Sequence, residues 1–397
     1  MKILLLIETL TAGGAETFVL RLANALAPQN EVAVAVLHGG QIEPQLAQGL
    51  HPQIALHRLH TPAERWWWRA DRVLRGVGLD RSPLRWRQRR WLRQLVDDFR
   101  PDIVHSHLLK ADRLMLEVTR GRIIGRVTTL HGDYEPYLRG QADPQMRGAD
   151  RWIIRVLEEA DAIVGVCRAH LQSAERLLPS IGTRLRLIYN GYERVGAAEH
   201  PSFTPPDGMF RFGMVSRGVR LKGWRRAVEA FARVRDGSSR LVLVGDGPAI
   251  AELRAEQPSD VEFVGFSARP ADWIARFDVC LLPTLFPHES LPTAVIEYLA
   301  SGKPVIATDV GEIRTMLTAP DGRLAGTLLT FRGEDVDVDE LAAAMVDLRA
   351  DPQRRAAMGQ AATGAFERFQ MELCVASYEK LYREVARASL SRPAPRG

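Results

Sequence analysis

The sequence predicts an α/β protein of two domains, each built on a Rossmann-like, doubly wound parallel sheet. Three observations carry this expectation. Short apolar runs alternate with amphipathic stretches in two separate series. A proline-bearing segment without periodicity divides the series, and 397 residues suit two domains of roughly 150–200 residues each better than one core.

In the first series, strands are expected over 3–8, 31–37, 54–59, 102–107, 123–130, 161–167 and 185–189, with a helix over 15–26 after the first. Residues 196–208 hold Pro201, Pro205 and Pro206 and read as the linker. The second series places strands at 210–216, 240–244, 261–264, 278–282, 304–307 and 326–331, with a helix over 224–234. The expected domains are therefore 1–195 and 209–370, facing each other across a cleft. A long amphipathic helix over 371–388 is expected to pack back on the first domain.

Composition narrows the class. An apolar content of 46% and a charged content of 25% are those of a globular chain. Cys167, Cys280 and Cys374 lie far apart without CxxC spacing, which argues against a disulfide framework and for a reducing, cytoplasmic compartment. The apolar run at 3–7 is too short for a signal peptide and is met at once by Glu8. No stretch approaches the ~20 apolar residues of a membrane span.

The chemistry concentrates in three places. Glu289 and Glu297 are separated by seven residues in Glu289-Ser-Leu-Pro-Thr-Ala-Val-Ile-Glu297. With Ser290 as N-cap and Pro292 in the first turn, a helix is expected from about Leu291. Glu289 then stands just before that helix and Glu297 about two turns in, both near the carboxyl edge of the sheet. One carboxylate can take a ribose diol and the other a sugar hydroxyl, although a surface glutamate pair is an equal reading of the spacing alone. Arg217 and Lys222 follow the strand at 210–216 in Arg217-Gly-Val-Arg-Leu-Lys222, where a guanidinium fork and a point charge suit a diphosphate. Taken alone, this pair also fits a solvated basic loop. Gly13 and Gly14 lie at a strand-to-helix turn, where glycine lets backbone approach a phosphate at a helix N-terminus.

These motifs together resemble the family 4 retaining glycosyltransferases. Tyr189-Asn190-Gly191 and Val244-Gly-Asp-Gly-Pro248 join the likeness, which runs from Lys2 to about Phe369 in the family's order. The resemblance implies a GT-B fold and sugar transfer from a UDP- or GDP-linked donor without cofactor or metal. It implies donor-diphosphate contacts for Arg217 and Lys222, ribose contacts for Glu297 and donor-sugar contacts for Glu289. It extends donor contacts to Ser290, Leu291, Gly13 and Gly14, and it brings His131 near the transferred sugar. His131 also fits a hydrogen-bonded strand-end histidine. Two departures stand out: Gly311-Glu312-Ile313 replaces the family's more glycine-rich turn, and Ser290 replaces its usual glycine.

Other patterns compete less well. Asp335-Val-Asp337-Val-Asp339 has the letters of a metal-binding DxD, but it precedes a helical run that such acids would cap. His105-Ser-His107 resembles a two-ligand clamp without a third partner, so a strand-end or acceptor-side role is expected. Residues 65–93 carry ten arginines (65, 69, 72, 75, 81, 85, 87, 89, 90 and 93) interleaved with tryptophan. An anionic membrane surface and a solvated helix with packed tryptophans explain this equally, and nucleic acid explains it poorly. The expected acceptor is a glycan or lipid-linked glycan of surface polysaccharide or lipopolysaccharide assembly, with contact at the inner membrane face. A nucleotide-sugar 2-epimerase, a glycan phosphorylase and a non-catalytic nucleotide-sugar binder are the alternatives.

Overall fold

The computed structural model describes residues 1–11, 13–61, 66, 67, 69, 82–141, 149–194, 208–256 and 260–391. The expected linker lies outside the described residues except for Gly208, as do Arg65, Arg72, Arg75 and Arg81 of the basic segment. The chain divides into two units, Met1–Gly191 with Met371–Gly397, and Tyr192–Gln370.

The first unit carries, among the described residues, a seven-stranded sheet in the order β3-β2-β1-β4-β5-β6-β7. Its strands are β1 (Lys2–Ile7), β2 (Glu31–Val36), β3 (Ala55–Arg58), β4 (Ile103–His107), β5 (Gly125–Leu130), β6 (Ala162–Gly165) and β7 (Leu185–Leu187). Every pairing is parallel. Helices cover both faces, so β1 reads as an unbroken apolar run: Ile3, Leu5 and Ile7 face one layer, Leu4 and Leu6 the other. The first layer includes helix Met371–Leu390, which buries Met371, Cys374, Tyr378, Leu381, Tyr382 and Val385 against it.

The second unit repeats the plan, among the described residues, with a six-stranded sheet in the order β10-β9-β8-β11-β12-β13. These are β8 (Phe210–Val215), β9 (Ser239–Val244), β10 (Val261–Gly265), β11 (Val279–Leu282), β12 (Val305–Thr308) and β13 (Gly326–Leu329). In both sheets the order reverses beside the first strand, at the switch point where open α/β sheets take their ligands. Helix Trp224–Val234 packs Trp224, Ala227, Val228, Phe231 and Val234 inward at helical spacing. Trp224 is fully buried, and its indole N–H donates to the Arg217 carbonyl at 2.8 Å. The core thereby fixes the start of the basic loop.

The expected helix start at Leu291 needs correction. The helix runs Thr293–Ala300, with Pro292 as an extended N-cap and no side-chain cap, so Ser290 does not cap it. The reason is local: the Pro292 ring disfavours helical backbone at Leu291. Glu297 consequently stands about one turn into the helix rather than two.

Candidate functional site

In the second unit the residues after β8, β11 and β12 gather at the carboxyl ends of the strands. A 3-10 turn, Arg220–Lys222, ends at Gly223, whose φ of 79° is left-handed. A Cβ there would lie 1.8 Å from the Pro283 carbonyl oxygen, so glycine lets this loop close on the chain after β11. A further bond locks the loops, Leu285 N–H to Leu221 O at 2.7 Å, and the Thr284 hydroxyl oxygen lies 3.1 Å from the same carbonyl.

This closure delivers Lys222 to Glu289. Nζ donates to both carboxylate oxygens at 2.8 Å, and Thr284 Oγ1 donates to Oε2 at 2.9 Å. Both side chains are largely buried, 15% exposed for Lys222 and 8% for Glu289. Gly311, with φ 55°, backs the glutamate: a Cβ at this position would meet the Glu289 carbonyl oxygen at 1.6 Å. The Gly311-Glu312 turn is therefore a fitted part of the site.

The remaining expected residues of this unit are placed less tightly. Arg217 is exposed on the Lys222 loop. Glu297 is buried on its helix. Ser290 is half-buried, and the Leu291 side chain lies in the interior. The Asp335-Val-Asp337-Val-Asp339 run is occupied structurally. Asp337 caps helix Val338–Ala350 through the N–H groups of Asp339 and Glu340, while Asp335 and Asp339 pair with Arg226 and Arg233.

In the first unit, Gly13 is the extended N-cap of helix Gly14–Leu26, and Gly14 is exposed. The space at Gly13 is used by the protein itself. A Cβ there would lie 2.2 Å from Glu16 Oε2, and the other carboxylate oxygen accepts from Thr9 and Thr11 hydroxyls at 3.2 and 3.3 Å.

The neighbouring strands β4 and β5 hold a two-sided polar cluster that follows from strand alternation. On one face Ser106 and its register partner Thr128 both donate to Asp112 Oδ1, at 2.7 and 2.6 Å, and Tyr134 OH donates to Oδ2 at 2.9 Å. Burial outweighs these bonds and pushes the Asp112 carboxyl up to about 6. On the other face His105 bonds Tyr382 OH through Nδ1 and Thr129 Oγ1 through Nε2, both at 2.7 Å. His107 Nδ1 meets His131 Nε2 at 2.9 Å. Burial depresses all three imidazoles, His131 to about 4, so each is neutral near pH 7. Among the described residues, no group of three or more His, Cys, Asp and Glu side chains has metal-site geometry.

The structure thus brings Lys222 to Glu289 and His131 to His107. Sequence reading expects His107 only in a strand-end or acceptor-side role and Gly311 only in a departing turn, and it does not single out Thr284. The signal for His107 was present, since two histidines at i and i+2 in a strand share a face. That for Gly311 was a glycine at a loop bend, which does not say what it backs.

In the basic segment, helix Pro83–Phe99 is capped by Ser82, whose Oγ accepts the Arg85 N–H at 3.0 Å. Leu84, Gln88, Leu92, Leu95 and Val96 face inward, and Trp86, Arg89, Arg90 and Arg93 form the exposed stripe. Trp86 is 63% exposed and Trp66 67%, whereas Trp91 packs against the core. No described helix is long and apolar enough to cross a membrane.

Two switch-point sheets, with a buried lysine–glutamate pair at the carboxyl edge of the second, define a protein of the GT-B class. The family model for Glycosyltransferase Family 4 matches residues 12–194, and that for glycosyl transferases group 1 matches 210–351. The chain belongs to this family of glycosyltransferases. It is 27% identical to the N-acetyl-alpha-D-glucosaminyl L-malate synthase of Bacillus anthracis, over 72% of this chain and 75% of that one. It is 26% identical to the lipopolysaccharide core biosynthesis glycosyltransferase LpsD of Rhizobium meliloti, over 87% of each. Among solved structures, Anabaena HepE in complex with UDP superposes with a TM-score of 0.75 at 20% identity, covering 97% of this chain and 100% of that one. Sucrose-phosphate synthase from Thermosynechococcus elongatus gives 0.76 at 20% identity, covering 98% and 100%. At that identity the two structures show a shared fold.

Proposed function

We propose that this glycosyltransferase is retaining and metal-independent, and moves a sugar from a UDP- or GDP-linked donor to a glycan or lipid-linked acceptor in surface polysaccharide or lipopolysaccharide biosynthesis. The observation that carries the reading is the Lys222–Glu289 pair beside the exposed Arg217 at a sheet's carboxyl edge. In this reading residues 209–370 bind the donor and residues 1–195 the acceptor. Arg217 and Lys222 meet the diphosphate, Glu297 the ribose hydroxyls, and Glu289 a donor-sugar hydroxyl, with Ser290 and Leu291 lending backbone to the same loop. Gly13, Gly14 and His131 are the residues of the first unit that this reading assigns to the donor.

The chemistry is a single exchange at the anomeric carbon. Its bond to the diphosphate oxygen breaks, the acceptor oxygen bonds on the same face, and the acceptor proton passes to the departing diphosphate. Arg217 and Lys222 stabilise the charge that grows on the leaving group. The HepE complex with UDP and the lipopolysaccharide role of LpsD support the donor and acceptor classes. The stripe of Trp86, Arg89, Arg90 and Arg93 fits anionic headgroups around a lipid-linked acceptor.

Calorimetric titration with UDP and GDP in EDTA, on the wild type and Glu297→Ala, tests the donor site. Micromolar binding of one nucleotide, weakened by the substitution, is expected, and binding of neither would defeat the reading. Co-sedimentation with vesicles containing phosphatidylglycerol at low salt tests the surface, which fails if Trp86→Ala with Arg89→Ala and Arg90→Ala binds as wild type.

A further inference from the structure

His107 contacts no substrate in the proposed reaction, yet it is held closely beside His131. It ends β4 fully buried, with its ring centroid 4.1 Å from that of His105, 5.2 Å from that of His131 and edge-on to Phe18. The next residue, Leu108, has a φ of 74°, a left-handed conformation costly for a branched side chain. The ring is held there against local backbone preference.

Its two nitrogens are unequal. Nδ1 faces His131 Nε2 at 2.9 Å, whereas Nε2 is buried and has no hydrogen-bond partner among the described residues. A neutral imidazole carries one ring hydrogen, on one nitrogen or the other. If that hydrogen were on Nε2, a buried N–H would go unbonded, and Nδ1 could only accept from a His131 protonated at Nε2. With the hydrogen on Nδ1, only a lone pair is orphaned, the cheaper omission, and Nδ1 donates to His131 Nε2. His131 Nε2 is then the acceptor, which leaves the His131 hydrogen on Nδ1. Burial keeps both rings in the neutral form that this accounting requires.

We propose that His107 is a positioning residue that holds His131 as its Nδ1–H tautomer, so that His131 meets a substrate as an N–H donor and not as a base. The lone pair on which base catalysis would depend is committed to His107. The acceptor proton must therefore leave by another route, in keeping with its transfer to the diphosphate. The inference rests on the proposed place of His131 beside the transferred sugar.

Long-range 1H–15N correlation spectra of histidine-labelled protein test it, with His131 and His107 assigned through His131→Gln and His107→Leu. In the wild type, Nδ1 is expected to be the protonated-type nitrogen of both rings. His107→Asn, whose amide places a donor near the lost Nδ1, should keep His131 in that tautomer. His107→Leu should lower the share of that tautomer at His131. A His131 protonated at Nε2 in the wild type overturns the proposal without requiring that any variant fold. So does an unchanged His131 tautomer in a folded His107→Leu. If instead His131→Ala transfers sugar at the wild-type rate, the placement at the sugar fails while the tautomer assignment stands.

Discussion

Lys222 Nζ lies 2.8 Å from each carboxylate oxygen of Glu289, so the lysine of the basic loop is also half of a largely buried ion pair. The two roles compete for one charge. An arriving diphosphate would share the ammonium with the carboxylate, which would then be freer to accept from a sugar hydroxyl.

Lys222→Ala is expected to lower sugar transfer by roughly 10²–10³, the usual loss on removing one charge-stabilising donor. It should also lower stability by about 3–5 kcal/mol, because the Glu289 charge is left buried and unpaired. Lys222→Met combined with Glu289→Leu should unfold at higher denaturant than Lys222→Ala, and remain inactive. Steady-state transfer and urea titration of these variants separate the two roles, and near-normal transfer by Lys222→Ala would remove the lysine from the site.

Gly311→Ala should disturb Glu289 through the backbone. The added Cβ falls on the Glu289 carbonyl oxygen, and the φ of 55° costs a non-glycine residue about 1–2 kcal/mol before any collision. Transfer should fall at least about tenfold, as expected when site geometry shifts by fractions of an ångström. Gly322→Ala is the control: its φ of 85° imposes the same kind of strain, but a Cβ there meets nothing within 4 Å. Equal transfer by the two variants would contradict the fitted contact.

Asp112 should make stability depend on pH. Its folded carboxyl, near 6, lies above the ordinary value of 3.8, so the folded state holds the proton more tightly. The associated stability is full below pH 3.8 and is lost as pH rises through about 6, up to about 3 kcal/mol. Asp112→Asn removes this term. The advantage of the wild type over the variant, read from urea midpoints, should therefore grow from pH 8 to pH 4.

His131 contributes the opposite slope in the same window. Its folded value near 4 lies below 6.5, so stability is intact above pH 6.5 and is lost as pH falls toward 4, by about 3 kcal/mol at most. His131→Gln should flatten this acid loss. A variant as acid-sensitive as the wild type would mean that the acid-labile group lies elsewhere.

Sheet membership was legible from the sequence because strands buried on both faces announce themselves as continuous apolar runs. Helix Trp224–Val234 was read to the residue, since its moment is strong and a glycine precedes it. The site was legible in its residue types and less so in its geometry. Neither Lys222 nor Glu289 carries a mark that they pair over 67 positions of chain. That contact depends on Gly223 closing against Pro283, a tertiary event. The start of the helix that carries Glu297 was misplaced because Ser290 and Pro292 both signal a start, and the proline's effect on the residue before it decided between them. At Gly13 the sequence suggested a close backbone approach to a phosphate, and a carboxylate three residues along occupies the space.

The division of the chain sets the order in which a ribosome can complete this molecule. Tyr192 and Gln370 bridge to each other, with Tyr192 N–H bonded to Phe369 O at 2.7 Å, so the second unit leaves and re-enters the chain at neighbouring points. It has all its residues, including those of the basic loop, once position 370 has been synthesised. The first unit, although begun earlier, lacks Tyr378 and Tyr382 until helix Met371–Leu390 exists. Those tyrosines supply the hydroxyls facing His105 and Thr129, so the histidine layer stays unfinished while its partner unit is already whole. The part translated first is thus the part that must wait, with an apolar sheet face in need of cover during the delay.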